Sequence, residues 1–140
     1  SARDIHKMPL KKMILISIAI LFFGSLMVHA ADLKNTRIAV ASSGKSEKAS
    51  VSDRAAKCPY YLIFDSKSEL VEVVDNPYAD ASRGAGPSAA NFLAKTGVTM
   101  IIAESFGSKM TNALKNNDIT PFGFKGSVGD AVKTALEGRK

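Results

Sequence analysis

Two short stretches of the sequence carry groups that could hold an inorganic ligand. Cys58 is the single cysteine of the 140-residue chain, and a thiolate is the usual protein ligand of iron–sulfur centres. Arg83, Gly84 and Gly86 lie in the stretch SRGAGP, where a helix is predicted to begin. Glycines expose backbone N–H groups, the guanidinium adds a fixed positive charge, and a helix N-terminus attracts anions. The sequence therefore predicts an anion-binding corner at the glycine loop and leaves Cys58 as a thiol that could bind a ligand.

Each stretch also has an ordinary structural interpretation. Because a lone cysteine cannot form an internal disulfide, Cys58 is buried, capped, paired with another chain or bound to a ligand. SRGAGP can equally be a glycine-rich turn that only caps a helix. Both alternatives stay open at the level of sequence.

The stretch SSGKS at 42–46 resembles a phosphate-binding loop but lacks its spacing. Such a loop needs a glycine five positions before Gly44, and Ala39 stands there, inside a predicted strand. It also needs a helix that begins at Lys45, and the following residues do not favour one. A nucleotide site is therefore not expected here.

The residues give little support to an enzyme. Both histidines, His6 and His29, precede residue 31, so a Cys–His pair and an imidazole zinc site are excluded from the domain that follows. A two-metal nuclease needs converging carboxylates, usually with one on the first strand, and RIAVAS at 37–42 has none. The other candidate carboxylates end separate predicted elements: Asp65, Asp75, Glu104 and Asp130.

The elements that must position these residues follow the order β-β-β-α-β-α-β-α. Strands are predicted at 37–42, 60–66, 69–76, 98–105 and 119–124, and helices at 87–97, 107–117 and 127–138. The Lys67–Ser68 step predicts an antiparallel hairpin, the later alternation predicts parallel crossovers, and Pro121 favours an edge strand. The class is therefore α/β, with a mixed five-stranded sheet and helices on both faces, the three-layer ribonuclease H-like arrangement.

Residues 8–30 have the three parts of a secretory signal peptide. Lys11 and Lys12 precede an apolar run at 13–28, and Val28-His29-Ala30 offers small residues for cleavage. Residues 1–7 are interpreted as an expression remnant or misread upstream residues, and 31–140 as the domain. The protein is therefore expected to be exported to the periplasm, with membrane contact solely through an uncleaved leader.

The charge does not indicate a nucleic-acid partner. The formal net charge is +6, but part of it lies in the leader and the remaining lysines are scattered. A nucleic-acid surface needs basic residues on one face with interleaved aromatics. No nucleic acid is therefore expected.

The chain resembles the dinitrogenase iron-molybdenum cofactor biosynthesis family, the NifX/NafY-like carrier domains, across residues 36–138. The matching stretches, in family order, are RIAVAS at 37–42, VSDRAAKCPYYLIFD at 51–65, NPYADASRGAG at 76–86 and GSKMTNAL at 107–114. The resemblance implies a ribonuclease H-like fold and non-catalytic binding of an iron-sulfur or iron-molybdenum cluster. It also places Cys58 on the family's thiol position and Arg83, Gly84 and Gly86 on its glycine loop.

Two functions follow as expectations. The first is an exported, non-catalytic carrier of a metal cluster or related metal species, in which Cys58 is the ligand, its thiolate favoured by cations at Arg54, Lys57 or Arg83. Its partners would be the cluster and a protein acceptor. The second is a structural or protein-interaction module with the same fold and an inert buried thiol. Either is expected to be a monomer or weak homodimer, which an exposed Cys58 could cross-link.

Overall fold

The computed structural model describes residues 36–138, and it confirms the predicted order of strands and helices. The elements are β1 Ile38–Ser42, β2 Tyr60–Phe64, β3 Leu70–Asp75, α1 Ala85–Lys95, β4 Met100–Ala103, α2 Ser108–Asn116, β5 Thr120–Gly123 and α3 Val128–Glu137. The predicted leader at 8–30 and the segment at 1–7 lie outside the described residues. Within the described range, no helix is long and apolar enough to cross a bilayer.

The five strands form one mixed sheet in the order β3-β2-β1-β4-β5. β1 is central: Val40 pairs with Leu62 of antiparallel β2 on one side and with Ile102 of parallel β4 on the other. β2 and β3 form the predicted antiparallel hairpin, and β5 runs parallel to β4 at the edge of the sheet. Pro121 therefore occupies the edge strand, where a residue without an N–H is tolerated.

The helices cover both faces of this sheet and create three layers. Period-two alternation sends Ala39 and Ala41 of β1 toward α1 and α2, and Ile38 and Val40 toward α3. β1 is buried along its whole length, which explains why its sequence is continuously apolar or small. The α/β, ribonuclease H-like class predicted from the sequence is confirmed.

The topology directs three helix N-termini to one edge of the sheet. β1, β4 and β5 run parallel, and β3 has the same direction because it pairs antiparallel with β2, which pairs antiparallel with β1. Each of α1, α2 and α3 follows the carboxyl end of one of these strands. In open α/β sheets this is the edge at which ligands bind.

Candidate functional site

A cleft of about 500 Å³ lies beside the N-termini of α1 and α2. Three chain segments line it, at 54–57, 84–87 and 105–110. The first follows the long loop after β1, the second begins α1, and the third joins β4 to α2. The cleft volume falls within the range of ordinary small-ligand sites.

Backbone hydrogen bonds fix two of these segments to each other. Ser105 N–H donates to Asp53 O over 3.0 Å, and Ala55 N–H donates to Ser105 O over 3.2 Å. The Ser105 hydroxyl also donates to Asp53 O over 2.5 Å. The cleft wall is therefore held by the backbone, independently of most side chains at 54–57.

The N-terminus of α1 presents its backbone to the cleft without a capping side chain. Gly84 occupies the N-cap position with φ 70°, a left-handed conformation that glycine adopts without strain. No side-chain oxygen accepts from the first turn, which also contains no acidic residue. Since the first N–H groups of a helix have no intrahelical acceptor, those of Ala85 and Gly86 are available to a ligand.

The N-terminus of α2 has the same character. Gly107 is the N-cap in an extended conformation, no side chain caps the helix, and no acidic residue lies in the first turn. Its first N–H groups belong to Ser108, Lys109 and Met110, and all three residues line the cleft. Two helix dipoles therefore bring positive partial charge to one cavity.

The third helix shows the opposite arrangement. At the start of α3, Val128 N–H donates to Ala49 O over 2.9 Å and Gly129 N–H to Glu47 O over 3.0 Å. The Ser127 hydroxyl accepts from Asp130 N–H over 3.2 Å, as the sequence predicted. The loop that contains SSGKS thus caps α3 with protein groups, whereas α1 and α2 leave their donors for the cleft.

Formal charges reinforce the helix dipoles. Arg54, Lys57 and Lys109 line the cleft, and none of its lining residues is acidic. Within residues 36–138 the ion pair found joins Arg37 and Glu72, so none of the three cleft cations forms an ion pair with a described carboxylate. Exposed N–H groups and fixed cations around a cavity favour an anionic ligand.

Cys58 does not face this cleft. Its side chain is 1% exposed and packs in the core between the sheet and α1 and α2. Its Sγ lies 3.7 Å from Ala55 O, and burial raises the pKa of the thiol from 9.0 to about 11. The prediction of a thiolate favoured by neighbouring cations is wrong, because loss of solvent dominates at this position.

The burial of Cys58 also corrects two further expectations. A sulfur enclosed in this way neither reaches a cluster in the cleft nor cross-links a second chain unless the core opens. Among residues 36–138 there is no group of three or more His, Cys, Asp or Glu side chains placed to hold a metal ion. The geometry therefore does not fit Cys58 as a metal ligand.

The glycine loop reaches the cleft in part. Gly84 and Gly86 are lining residues, whereas the exposed Arg83 is not among them. The sequence predicted that Arg54 and Lys57 favour the thiolate of Cys58, and it assigned no role to Lys109. The sequence signal that could have identified Lys109 is GSKM at the start of α2, where a glycine and a lysine begin a helix without a capping acid.

Comparison with known proteins agrees with the fold and confirms the family that the sequence resembles. The family model described as "Dinitrogenase iron-molybdenum cofactor" matches residues 34–138. The apo form of the orange protein of Desulfovibrio gigas is 31% identical with a TM-score of 0.70, covering 74% of this chain and 89% of that one. A Thermotoga protein described as a NifB protein of the DUF35 family is 38% identical with a TM-score of 0.64, and the match covers 74% of this chain and 90% of that one.

A Methanocaldococcus jannaschii protein named after dinitrogenase is 18% identical with a TM-score of 0.55, covering 74% of this chain and 90% of that one. At this identity the likeness concerns the fold alone. A comparison with curated proteins finds no match.

Proposed function

The chain belongs to the dinitrogenase iron-molybdenum cofactor family, and from this premise we propose that its cleft binds an anionic metal–sulfur cluster, or a related metal species, and carries it without converting it. One observation carries the proposal: two helix N-termini without a capping side chain meet three cations in a cleft whose lining residues include no acid, and none of these cations forms an ion pair with a described carboxylate. Such a site stabilises a negative charge that the protein itself does not supply.

The cargo is held through its outer atoms in this proposal. Because Cys58 is buried and the described residues offer no cluster of metal-ligating side chains, the metal keeps the sulfide or oxide ligands that it brings. N–H groups of α1 and α2 donate hydrogen bonds to those ligands, and Arg54, Lys57 and Lys109 balance the charge. Contacts of this kind break without exchanging a metal–protein bond, which suits transfer to a protein acceptor.

Anaerobic titration of the purified protein with tetrathiomolybdate tests the proposal. We expect saturable binding of about one anion per chain, detected by absorbance and equilibrium dialysis, and retained in Cys58→Ser. Absence of saturable binding contradicts the carrier function. Loss of binding in a folded Cys58→Ser variant shows instead that the thiol is a ligand and contradicts the proposed mode of binding.

Burial of Cys58 also favours the second candidate, a protein-interaction module whose thiol is part of the core. Both candidates predict that Ellman's reagent reacts with Cys58 after unfolding and not before. They differ in the cleft, because an interaction module needs no affinity for an anion. Titration with tetrathiomolybdate therefore separates them, whereas thiol reactivity does not.

Export to the periplasm is part of the same proposal. Its support is the positive flank, apolar run and cleavage residues at 8–30. Cell fractionation followed by N-terminal sequencing tests it. A mature chain that starts at Ala31 in the periplasmic fraction is expected, and an intact N-terminus in the cytosol contradicts export while leaving the cleft chemistry unaffected.

A further inference from the structure

Two buried side chains hold the backbone of the cleft wall from behind. The Tyr61 hydroxyl donates to Ala55 O over 2.6 Å. The Asn76 amide donates from Nδ2 to Ala56 O over 2.8 Å and to Cys58 O over 2.9 Å. Tyr61 is 0% exposed and Asn76 is 6% exposed, and neither lines the cleft.

These hydrogen bonds fix the orientation of two peptide units. No cis peptide occurs among residues 36–138, and in a trans peptide the C=O of one residue and the N–H of the next point in opposite directions. Since the Ala55 and Ala56 carbonyls are turned toward Tyr61 and Asn76, the N–H groups of Ala56 and Lys57 point the other way. None of the hydrogen bonds found in the described part of the chain uses either N–H.

From this geometry we infer that Tyr61 and Asn76 are positioning residues, which aim the N–H groups of Ala56 and Lys57 into the cleft as a third set of anion donors. The inference rests on the proposed function. It means that an anion contacts donors from α1, from α2 and from the 55–57 turn, so that it is enclosed rather than held against one wall.

The protonation state of Tyr61 and the orientation of the Asn76 amide keep both groups as hydrogen-bond donors. Burial is the main cause that raises the pKa of the Tyr61 hydroxyl above its ordinary value of 10.0, so the hydroxyl stays protonated and remains a donor at neutral pH. The Asn76 Oδ1 accepts from Tyr78 N–H over 3.0 Å, which fixes the amide with Nδ2 toward the carbonyls. The Asn76 amide therefore has one available orientation.

An NMR titration of 15N-labelled protein with tetrathiomolybdate, under anaerobic conditions, tests the inference. In the wild type we expect the amide resonances of Ala56 and Lys57 to move together with those of Gly86, Ser108 and Lys109. In Tyr61→Phe we expect about fivefold weaker binding, the effect of one neutral hydrogen bond, and a smaller movement of the Ala56 resonance. Tyr60→Phe is the matched control, since this neighbouring side chain packs on the α3 face of the sheet.

Asn76→Ser is the second variant and acts on the other peptide unit. It removes both Nδ2 donors, so the Lys57 resonance should lose most of its movement while that of Ser108 persists. A positioning role predicts that affinity falls in both folded variants. A merely structural role predicts a lower melting temperature with unchanged affinity and unchanged amide movements, and this result overturns the inference.

The outcomes separate the inference from the function on which it rests. No saturable binding to the wild type overturns both. Binding that moves the α1 and α2 amides but leaves Ala56 and Lys57 unmoved overturns the inference alone. Because this last comparison uses wild-type protein, it can overturn the inference even if Tyr61→Phe and Asn76→Ser fail to fold.

Discussion

Gly86 and Met110 bring the first turns of α1 and α2 into direct contact. A Cβ added to Gly86 would lie 3.0 Å from the Met110 Cβ and 3.1 Å from the Met110 backbone N. These distances are shorter than ordinary van der Waals contacts, so a side chain at residue 86 would force the two N-termini apart. The close approach places the N–H donors of two helices beside the same cleft.

Gly86→Ala should therefore destabilise the protein and weaken anion binding together. We expect a loss of about 1–3 kcal/mol in the free energy of unfolding, the usual cost of overpacking, measured by urea denaturation. Gly107→Ala is the control, because nothing lies within 4 Å of its added Cβ. Equal stability losses in the two variants would contradict the role of the Gly86–Met110 contact.

The sequence predicts the fold well because the fold depends on local patterns. Alternation in RIAVAS, the short Lys67–Ser68 hairpin and the continuous apolar run before Ala103 each indicate one element, and the chirality of crossovers limits how the elements combine. Pro121 even identifies the edge strand. Boundaries differ by one or two residues at most strand ends, where regular pairing stops before the apolar pattern does.

The site was predicted less well because it depends on contacts between distant parts of the chain. Gly84 and Gly86 were identified since glycines before a helix have a local meaning. Lys109 acquires its role only when the crossover from β4 places α2 beside α1. For Cys58, sequence neighbours were misleading. Arg54 and Lys57 suggest a polar environment for the thiol, but the Cys58 side chain points into the core.

Stability should fall above pH 9 because of the buried thiol. An unfolded chain ionises Cys58 near the ordinary pKa of 9.0, whereas the folded protein retains that proton to about pH 11. Between these values the unfolded state binds fewer protons, so the thiol's contribution is intact below pH 9 and is lost as pH rises toward 11. The two pKa units correspond to at most about 2–3 kcal/mol, and urea midpoints at pH 8, 9 and 10 measure the loss.

Cys58→Ala is the control for this pH dependence. It removes the titrating thiol and leaves Tyr61, whose raised pKa also lowers stability in strongly alkaline solution. The variant should be less stable at pH 7, because a buried side chain has become smaller, but its stability should fall less steeply above pH 9. Parallel pH profiles for the two proteins would show that Cys58 does not remain protonated in the fold.

Lys109→Gln should weaken binding of tetrathiomolybdate about three- to tenfold at low salt, since it removes one cleft cation and preserves side-chain length. Lys115→Gln is the matched control at the other end of α2, in its last turn. The difference between the two variants should shrink in 0.5 M salt, because added ions screen exposed charges. Equal affinities at low ionic strength would remove Lys109 from the site.

Gly107→Asp should stabilise the protein and impair it as an anion receptor. Gly107 has φ −69° and ψ 155° at the N-cap of α2, a conformation that suits an aspartate cap, and its added Cβ meets nothing within 4 Å. The carboxylate would accept from first-turn N–H groups and oppose the helix dipole, raising the free energy of unfolding by about 0.5–1 kcal/mol. It would also occupy the donors that the anion needs and add negative charge beside them, so affinity for tetrathiomolybdate should fall at least about tenfold.

Gly107→Asn is the control, because it caps the same N–H groups without the charge. Its affinity for tetrathiomolybdate should lie between those of Gly107→Asp and the wild type. Urea denaturation and the anaerobic titration measure the two effects separately, and a stabilised Gly107→Asp variant with undiminished affinity would mean that the N-terminus of α2 is not part of the anion site.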